Sequence, residues 1–150
     1  GILNLVRRDT LNTAIALGRL GVETGFVCGI SNDFFGDMLV EELHRSGVST
    51  SLCSHTSLPT TLAFVTLNDG SASYTFYEEG SAGQSFSQSN IPSVPSETLA
   101  LHFGAVSLIS EPCGSTYEEM LFRNSEHLPF HLIPISDHLL SMIPINIVRE

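Results

Sequence analysis

The residues best able to do chemistry in this sequence are its thiols, imidazoles and carboxylates, and their spacing excludes most familiar sites. Cys28, Cys53 and Cys113 are widely separated, and no two form a C-x-x-C pair. An odd, scattered set argues against both a zinc site and a disulfide framework, so these read as buried thiols packed as small hydrophobes. The histidines, His44, His55, His102, His127, His131 and His138, show no metal-ligand spacing such as H-E-x-x-H. No G-x-S-x-G elbow presents a serine nucleophile, and no G-x-G-x-x-G joins a strand to a helix. Glu41-Glu42 and Glu118-Glu119 read as solvated helix faces rather than a glycosidase pair. Glu111 is different. It closes the apolar run Leu101–Ile109, at the carboxyl edge where open α/β sheets bind ligands. The plainer reading of Glu111-Pro112 is a pair that starts a helix.

Composition narrows the partners. The chain has 150 residues, 42% hydrophobic and 15% charged, which suits one globular domain. Its net charge is −10, with six arginines and no lysine. No basic stripe is available to displace counterions from nucleic acid, so that partner is set aside. The missing lysines also remove a common phosphate-binding residue. No apolar run reaches the ~20 residues of a membrane span. Gly1–Arg8 contains no apolar core followed by a cleavage site, so no signal peptide is read and the expected location is cytoplasmic.

The elements that must position these residues follow from periodicity. Leu11, Ile15, Leu17 and Leu20, with Ala14 and Ala16, mark a helix of about three turns, capped by Asp9 or Thr10 and closed by Gly21. Gly25–Ile30 reads as a buried parallel strand. A second helix follows Asp33, with Phe34, Phe35, Met38, Leu39 and Leu43 as its apolar stripe and Gly47 at its end. Val48–Cys53, Thr60–Leu67 and Ala72–Tyr77 then read as consecutive strands, the last two joined through Asn68-Asp69-Gly70 as a hairpin. Strands without intervening helices imply a small sheet leaning out of an α/β body. Gly80–Ser96 reads as the loop returning to that body. Leu101–Ile109 is the next buried strand, Ser115 caps a helix through Arg123 with Tyr117, Met120 and Leu121 inward, and Leu128–Ile133 is a further strand.

Five pieces carry a resemblance. Leu11-Asn12-Thr13-Ala14-Ile15-Ala16-Leu17-Gly18-Arg19-Leu20-Gly21 and Ser31-Asn32-Asp33-Phe34-Phe35-Gly36 resemble the first signature of the ribokinase/PfkB carbohydrate kinases. Pro59–Val65, Phe76–Gly83 and Ser107–Pro112 are similar in order and spacing to bacterial fructokinases. The resemblance runs from about Asp9 to Leu128. It implies an α/β fold: a ribokinase-like three-layer αβα body, incomplete here, with a small β-sheet lid over about residues 48–77. It also implies transfer of the γ-phosphoryl group of ATP to a sugar hydroxyl, with the sugar between lid and body. ATP and Mg2+ would use a site largely absent from this chain, leaving it inactive alone.

Carried over residue by residue, the resemblance implies that Asn12 bonds sugar hydroxyls, as a carboxamide can both donate and accept. The alternative is a helix-start residue bonding nearby backbone. Glu111 matches an acidic residue facing the sugar. Ala63 and Phe76 match a sugar-facing pair on the lid, with lid packing as the alternative. Glu78 stands near the position where kinases of 2-keto-3-deoxygluconate carry a basic residue. It would repel a carboxylate, so a neutral sugar such as fructose fits better. The alternatives are a nucleoside or keto-deoxy-sugar kinase of the same family, or a non-catalytic binding module that forms a homodimer through the lid strands.

The departures are equally specific. The family's opening strand with its acidic sugar ligand is missing, Arg7 and Arg8 replace paired glycines, and Ser31 replaces a glycine. The tail Pro129–Glu150 lacks the Asp-Pro-Asn-x-Arg-Pro motif, and the Gly-Ala-Gly-Asp motif, which would supply an anion hole and the catalytic base, is not reached. Shifted by one base, codons for Phe130–Ile143 can encode Ser-Phe-Asp-Pro-Asn-Ile-Arg-Pro-Ser-Phe-Ile, and Arg7-Arg8 can arise from Gly-Gly. The expectation is an out-of-frame tail over 129–150 with no fold of its own, against the alternative of a divergent tail. Coding DNA unable to encode Asp-Pro-Asn in the shifted frame would end that reading.

Overall fold

The computed structural model describes residues 4–5, 8–68, 71–104, 110–126 and 130–133. Its elements in chain order are β1 (Asn4–Leu5), α1 (Arg8–Arg19), β2 (Thr24–Gly25), β3 (Gly29–Ser31), α2 (Phe34–Arg45), β4 (Val48–Ser49), β5 (Ser54–Thr56), β6 (Leu62–Asn68), β7 (Ser71–Tyr77), β8 (Leu101–Gly104), α3 (Cys113–Asn124) and β9 (Phe130–Ile133). Among the described residues, no helix is long and apolar enough to cross a membrane.

Alternation along residues 26–30 sets the layers. Phe26, Cys28 and Ile30 pack with Leu11 and Ala14 of α1 and with Leu39 and Leu43 of α2. Val27 packs on the other side with Phe86, Phe103 and Tyr117. Side chains of a strand alternate between faces, so α1 and α2 cover one face of the parallel strands and α3 the other. The three-layer α/β body is therefore present. β2 and β3 pair in parallel with β4 and β5, and β8 with β9. The antiparallel hairpin β6–β7 leans out of this body with β1 along the outer edge of β6.

Several local expectations change. The helix expected to start at a capping Asp9 or Thr10 begins at Arg8, so both residues lie inside it. Its end is as read: Gly21 has φ +80°, and the Val22 amide bonds Leu17 while Gly21 bonds Gly18, the paired closure that a left-handed glycine permits. Gly25–Ile30 is not one strand but β2 and β3 with a break at residues 26–28. Val48–Cys53 does not join the lid. Val48–Ser49 and Ser54–Thr56 pair with the body, which narrows the lid strands from about 48–77 to β6 and β7. In α2 the buried stripe is Gly36, Leu39 and Leu43, with Val40 beside it. That phase leaves Phe34 71% and Met38 40% exposed. Leu20, beyond the end of α1, is also exposed.

Two corrections concern the second core. The segment read as a return loop, Gly80–Ser96, carries two short 3-10 turns, Ala82–Gln84 and Gln88–Asn90, and buries Phe86 completely. Ser115 does not cap α3. Pro112 holds the cap position, and the Ser115 hydroxyl donates to Glu111 instead. The tail differs at its start, since Phe130–Ile133 forms β9 in register with β8. The remaining residues of Pro129–Glu150, the Asp69-Gly70 turn, Arg7, residues 105–109 and Leu128 lie outside the described residues. The register pairs Asn68 with Ser71.

Candidate functional site

The strongest polar cluster lies where the hairpin leaves the body. Asp33 precedes α2, and its carboxylate accepts the Gly36 amide at 2.9 Å, an N-cap bond. The same carboxylate accepts the Thr60 amide at 2.8 Å and the Thr60 hydroxyl at 2.6 Å. Ser31 accepts the Asp33 amide at 3.0 Å. One residue on, the buried hydroxyls of Thr61 and Ser81 share a hydrogen bond of 2.6 Å, and the Ala82 amide donates to Pro59 at 2.8 Å. Both ends of the hairpin are thus tied to each other, and one of them to the start of α2. Sequence reasoning saw Asp33 only as a helix start. The available signal was a capping aspartate three residues before a glycine, followed much later by paired threonines at the start of a strand.

Burial raises the Asp33 pKa, but the Thr60 hydroxyl and amide, the Gly36 amide and the Ser31 hydroxyl outweigh it and bring the carboxyl down from 3.8 to about 2. A carboxylate held below its unfolded value stabilises the fold fully above pH 3.8, and that contribution is lost as pH falls towards about 2. Asp33→Asn keeps an oxygen for the Gly36 amide and the Thr60 hydroxyl but sets an NH2 group against the Thr60 amide. The expected cost at neutral pH is about 1 kcal/mol, kept small because the carboxylate is partly in water. Acid titrations of urea-induced unfolding should then show a flatter decline between pH 3.8 and 2 for the Asp33→Asn variant than for the unaltered chain. Equal slopes would show that this carboxylate does not govern the acid limb.

An open cleft of about 660 Å³ adjoins this root, lined by Pro59, Thr60, Leu62, Phe64, Phe76, Tyr77, Glu78, Glu79 and Ser81. Of the residues singled out from the sequence, Phe76 and Glu78 line it. Ala63 pairs directly with Phe76, so the two share a face of the hairpin, but Ala63 is not part of the lining. Leu62, Phe64 and Tyr77 occupy the opposite face, where the Phe64 and Tyr77 rings meet edge-on at 5.6 Å. Asn12 is exposed on α1. Glu111 is exposed just before α3, with both carboxylate oxygens accepting from Ser115 at 2.9 and 2.8 Å. Neither reaches the cleft lining.

The described residues do not build a nucleotide–metal site. Among them, no group of three or more His, Cys, Asp or Glu side chains could hold a metal ion. Three of the six arginines lie in surface pairs: Arg19 with Glu42 at 2.8 Å, Arg45 with Glu42 at 3.1 Å and Arg123 with Glu119 at 2.7 Å. These described residues do not fit a triphosphate with its cation.

An α/β body carrying a β-hairpin lid beside an open cleft defines the class as a ribokinase-like sugar-kinase fold. A family model described as pfkB family carbohydrate kinase matches residues 9–141, and the chain belongs to that family. The match extends past Leu128, where the resemblance was expected to stop. The fructokinase of Rhizobium leguminosarum bv. trifolii is 48% identical over 123 residues, covering 82% of this chain and 38% of the relative. The crystal structure of a fructokinase from Xylella fastidiosa with bound ATP superposes with a TM-score of 0.78 at 28% identity, over 87% of this chain and 42% of that one. A 2-dehydro-3-deoxygluconokinase structure from Thermotoga maritima gives a TM-score of 0.73 at 16% identity, over 85% and 41% of the two chains, a likeness of fold. The chain spans about two-fifths of the length of these proteins.

Proposed function

We propose that the chain forms the sugar-binding part of a cytoplasmic, ATP-dependent kinase acting on a neutral sugar, with fructose as the substrate. The observation that carries this reading is the placement of Phe76 and Glu78 together on the cleft beside the hairpin root. Glu78 and Glu79 offer acceptors to sugar hydroxyls, and Phe76 supplies an apolar wall. In the proposal Asn12 and Glu111 meet the sugar from the body, and Ala63 from the hairpin face it shares with Phe76. Two carboxylates on the lining disfavour an acidic substrate, which sets a keto-deoxy-sugar acid behind fructose. Support also comes from the relative at 48% identity, which is named a fructokinase.

Calorimetric titration tests it. The chain is expected to bind fructose and to reject 2-keto-3-deoxygluconate. Glu78→Arg should narrow that preference by roughly tenfold, about 1.4 kcal/mol. Equal binding of both sugars by the unaltered chain would overturn the substrate assignment. Phosphoryl transfer depends on groups positioned around the phosphates. The described residues provide none, so the 150-residue chain alone is expected to show no ATP-dependent phosphorylation of fructose. Measurable turnover would refute that part.

The hairpin supports a second reading, pairing with another copy of the chain. Phe64 and Tyr77, in contact on one face of the hairpin, are 46% and 62% exposed, an apolar patch on one element. A mass in sedimentation that stays monomeric at all concentrations would remove it.

A further inference from the structure

Cys28 and Cys53 are remote in sequence but adjacent in the fold. They immediately precede the paired residues Gly29 and Ser54 of β3 and β5, and the Ser54 amide donates to the Cys28 carbonyl at 3.0 Å. Both thiols belong to the core beneath α1 and α2. Cys28 is buried, whereas Cys53 is half-buried and its thiol donates to the Phe26 carbonyl at 3.1 Å. Neighbouring strands lie about 4.8 Å apart, within the span a disulfide bridges. Cys113 stands apart from this pair in the second core, its thiol donating to the Gly83 carbonyl at 3.1 Å.

We propose that Cys28 and Cys53 form an oxidation site, a dithiol that hydroperoxides convert to an intramolecular disulfide. Cys53 is the attacking sulfur. Its thiolate displaces an alkoxide or hydroxide from the peroxide, forming an S–O bond as the O–O bond breaks, and two electrons pass from sulfur to the peroxide. The Cys28 sulfur then attacks Cys53. The S–S bond forms, the S–O bond breaks, and the departing hydroxide takes the Cys28 proton and leaves as water. Two thiols and one hydroperoxide become one disulfide, one alcohol and one water.

The order of the two sulfurs follows from their surroundings. A hydrogen bond from the Cys28 thiol, helped by the Cys28 amide, holds Cys53 below the usual thiol range against the opposing effect of burial. The same thiol–thiol bond, with burial next, pushes Cys28 well above it. Exposure gives the same order: Cys53 is half-buried and within reach of a peroxide, whereas Cys28 is enclosed. β3 leads into Asp33 and β5 leads towards Thr60, so the disulfide ties together the strands that deliver both halves of the hairpin root. This inference does not depend on the proposed sugar chemistry.

The test treats the folded 150-residue chain with hydrogen peroxide, blocks remaining thiols and maps the peptides by mass spectrometry. The expected result is loss of two hydrogens, a Cys28–Cys53 linked peptide and full reversal by dithiothreitol. Cys113→Ser should leave the product unchanged, and Cys53→Ser should abolish it. Arrest of Cys53 as a sulfinic acid without a link would overturn the proposal. So would a link only between chains, or retention of both free thiols under conditions that oxidise the unfolded chain.

Discussion

Phe86→Ala is expected to lower the unfolding free energy by about 3–5 kcal/mol, read as a shift of the urea midpoint with little change in slope. Phe86 is fully buried and lies stacked on Tyr117, with ring centroids 5.0 Å apart and planes 23° apart. Tyr117 has little freedom to fill the gap. Its ring meets Phe103 edge-on at 6.4 Å, and its hydroxyl donates to the Val27 carbonyl at 3.2 Å. Collapse towards the cavity would break the hydrogen bond or open the Phe103 contact. The loss therefore includes the cavity as well as the transfer of the ring. A domain of this size has only about 5–15 kcal/mol in hand, so the variant should unfold early in urea. Phe86→Leu keeps most of the volume and should cost about half as much or less. A loss below about 1 kcal/mol for alanine would mean that the segment around Phe86 is not part of the cooperative core.

That prediction rests on a segment that sequence patterning misread. Residues 80–96 are rich in serine, glycine, glutamine and proline, and composition of that kind marks loops by correlation. What decides burial here is a single aromatic, Phe86, flanked by residues that form 3-10 turns. A lone large apolar residue among small and polar ones has no period, so neither the helical nor the strand pattern could reveal it. α2 was legible because Asp33, its apolar spacing and Gly47 all agree on its bounds. Its exact inward phase was not: Phe34 and Met38 lie on the flank of the stripe that Gly36, Leu39, Val40 and Leu43 define. Val48–Cys53 was misassigned for another reason. Strand character is local, but partnership with β2 or with the hairpin is set by tertiary pairing.

Two of the expected site residues fall on the cleft, and the arrangement around it was not legible. Phe76 and Glu78 were drawn from motif order, and both lie on the cleft. Asp33, Thr60, Thr61 and Ser81 hold the hairpin root, yet their relation spans the sequence from β3 to the residues after β7 and no local spacing encodes it. Ala63 illustrates the limit of strand periodicity. The register places it on the same face as Phe76, but which residues of that face border open space depends on how the hairpin stands over the body.

Gly36→Ala is expected to destabilise the chain by roughly 3 kcal/mol, the upper end of what overpacking costs, although alanine is the better helix former by about 1 kcal/mol. The sign is decided by what a Cβ would meet. It would overlap the Ser31 carbonyl oxygen and stand 2.8 Å from the Ser31 carbonyl carbon and 3.3 Å from its Cα. These are backbone atoms at the end of β3, held there by parallel pairing with Thr56, so no side chain can rotate away. Relief must come from moving the first turn of α2. That turn carries the Gly36 amide bonded to Asp33, and Asp33 carries the bonds to Thr60. The clash is thus passed directly to the root of the hairpin. The measurement distinguishes this from a purely local cost: hydrogen exchange should accelerate at the Thr60 amide as well as at Gly36, while amides of α3 keep the global protection. Unchanged stability would show that α2 can shift away from β3 at no cost. Faster exchange confined to position 36 would show that Asp33 holds Thr60 independently of its own cap.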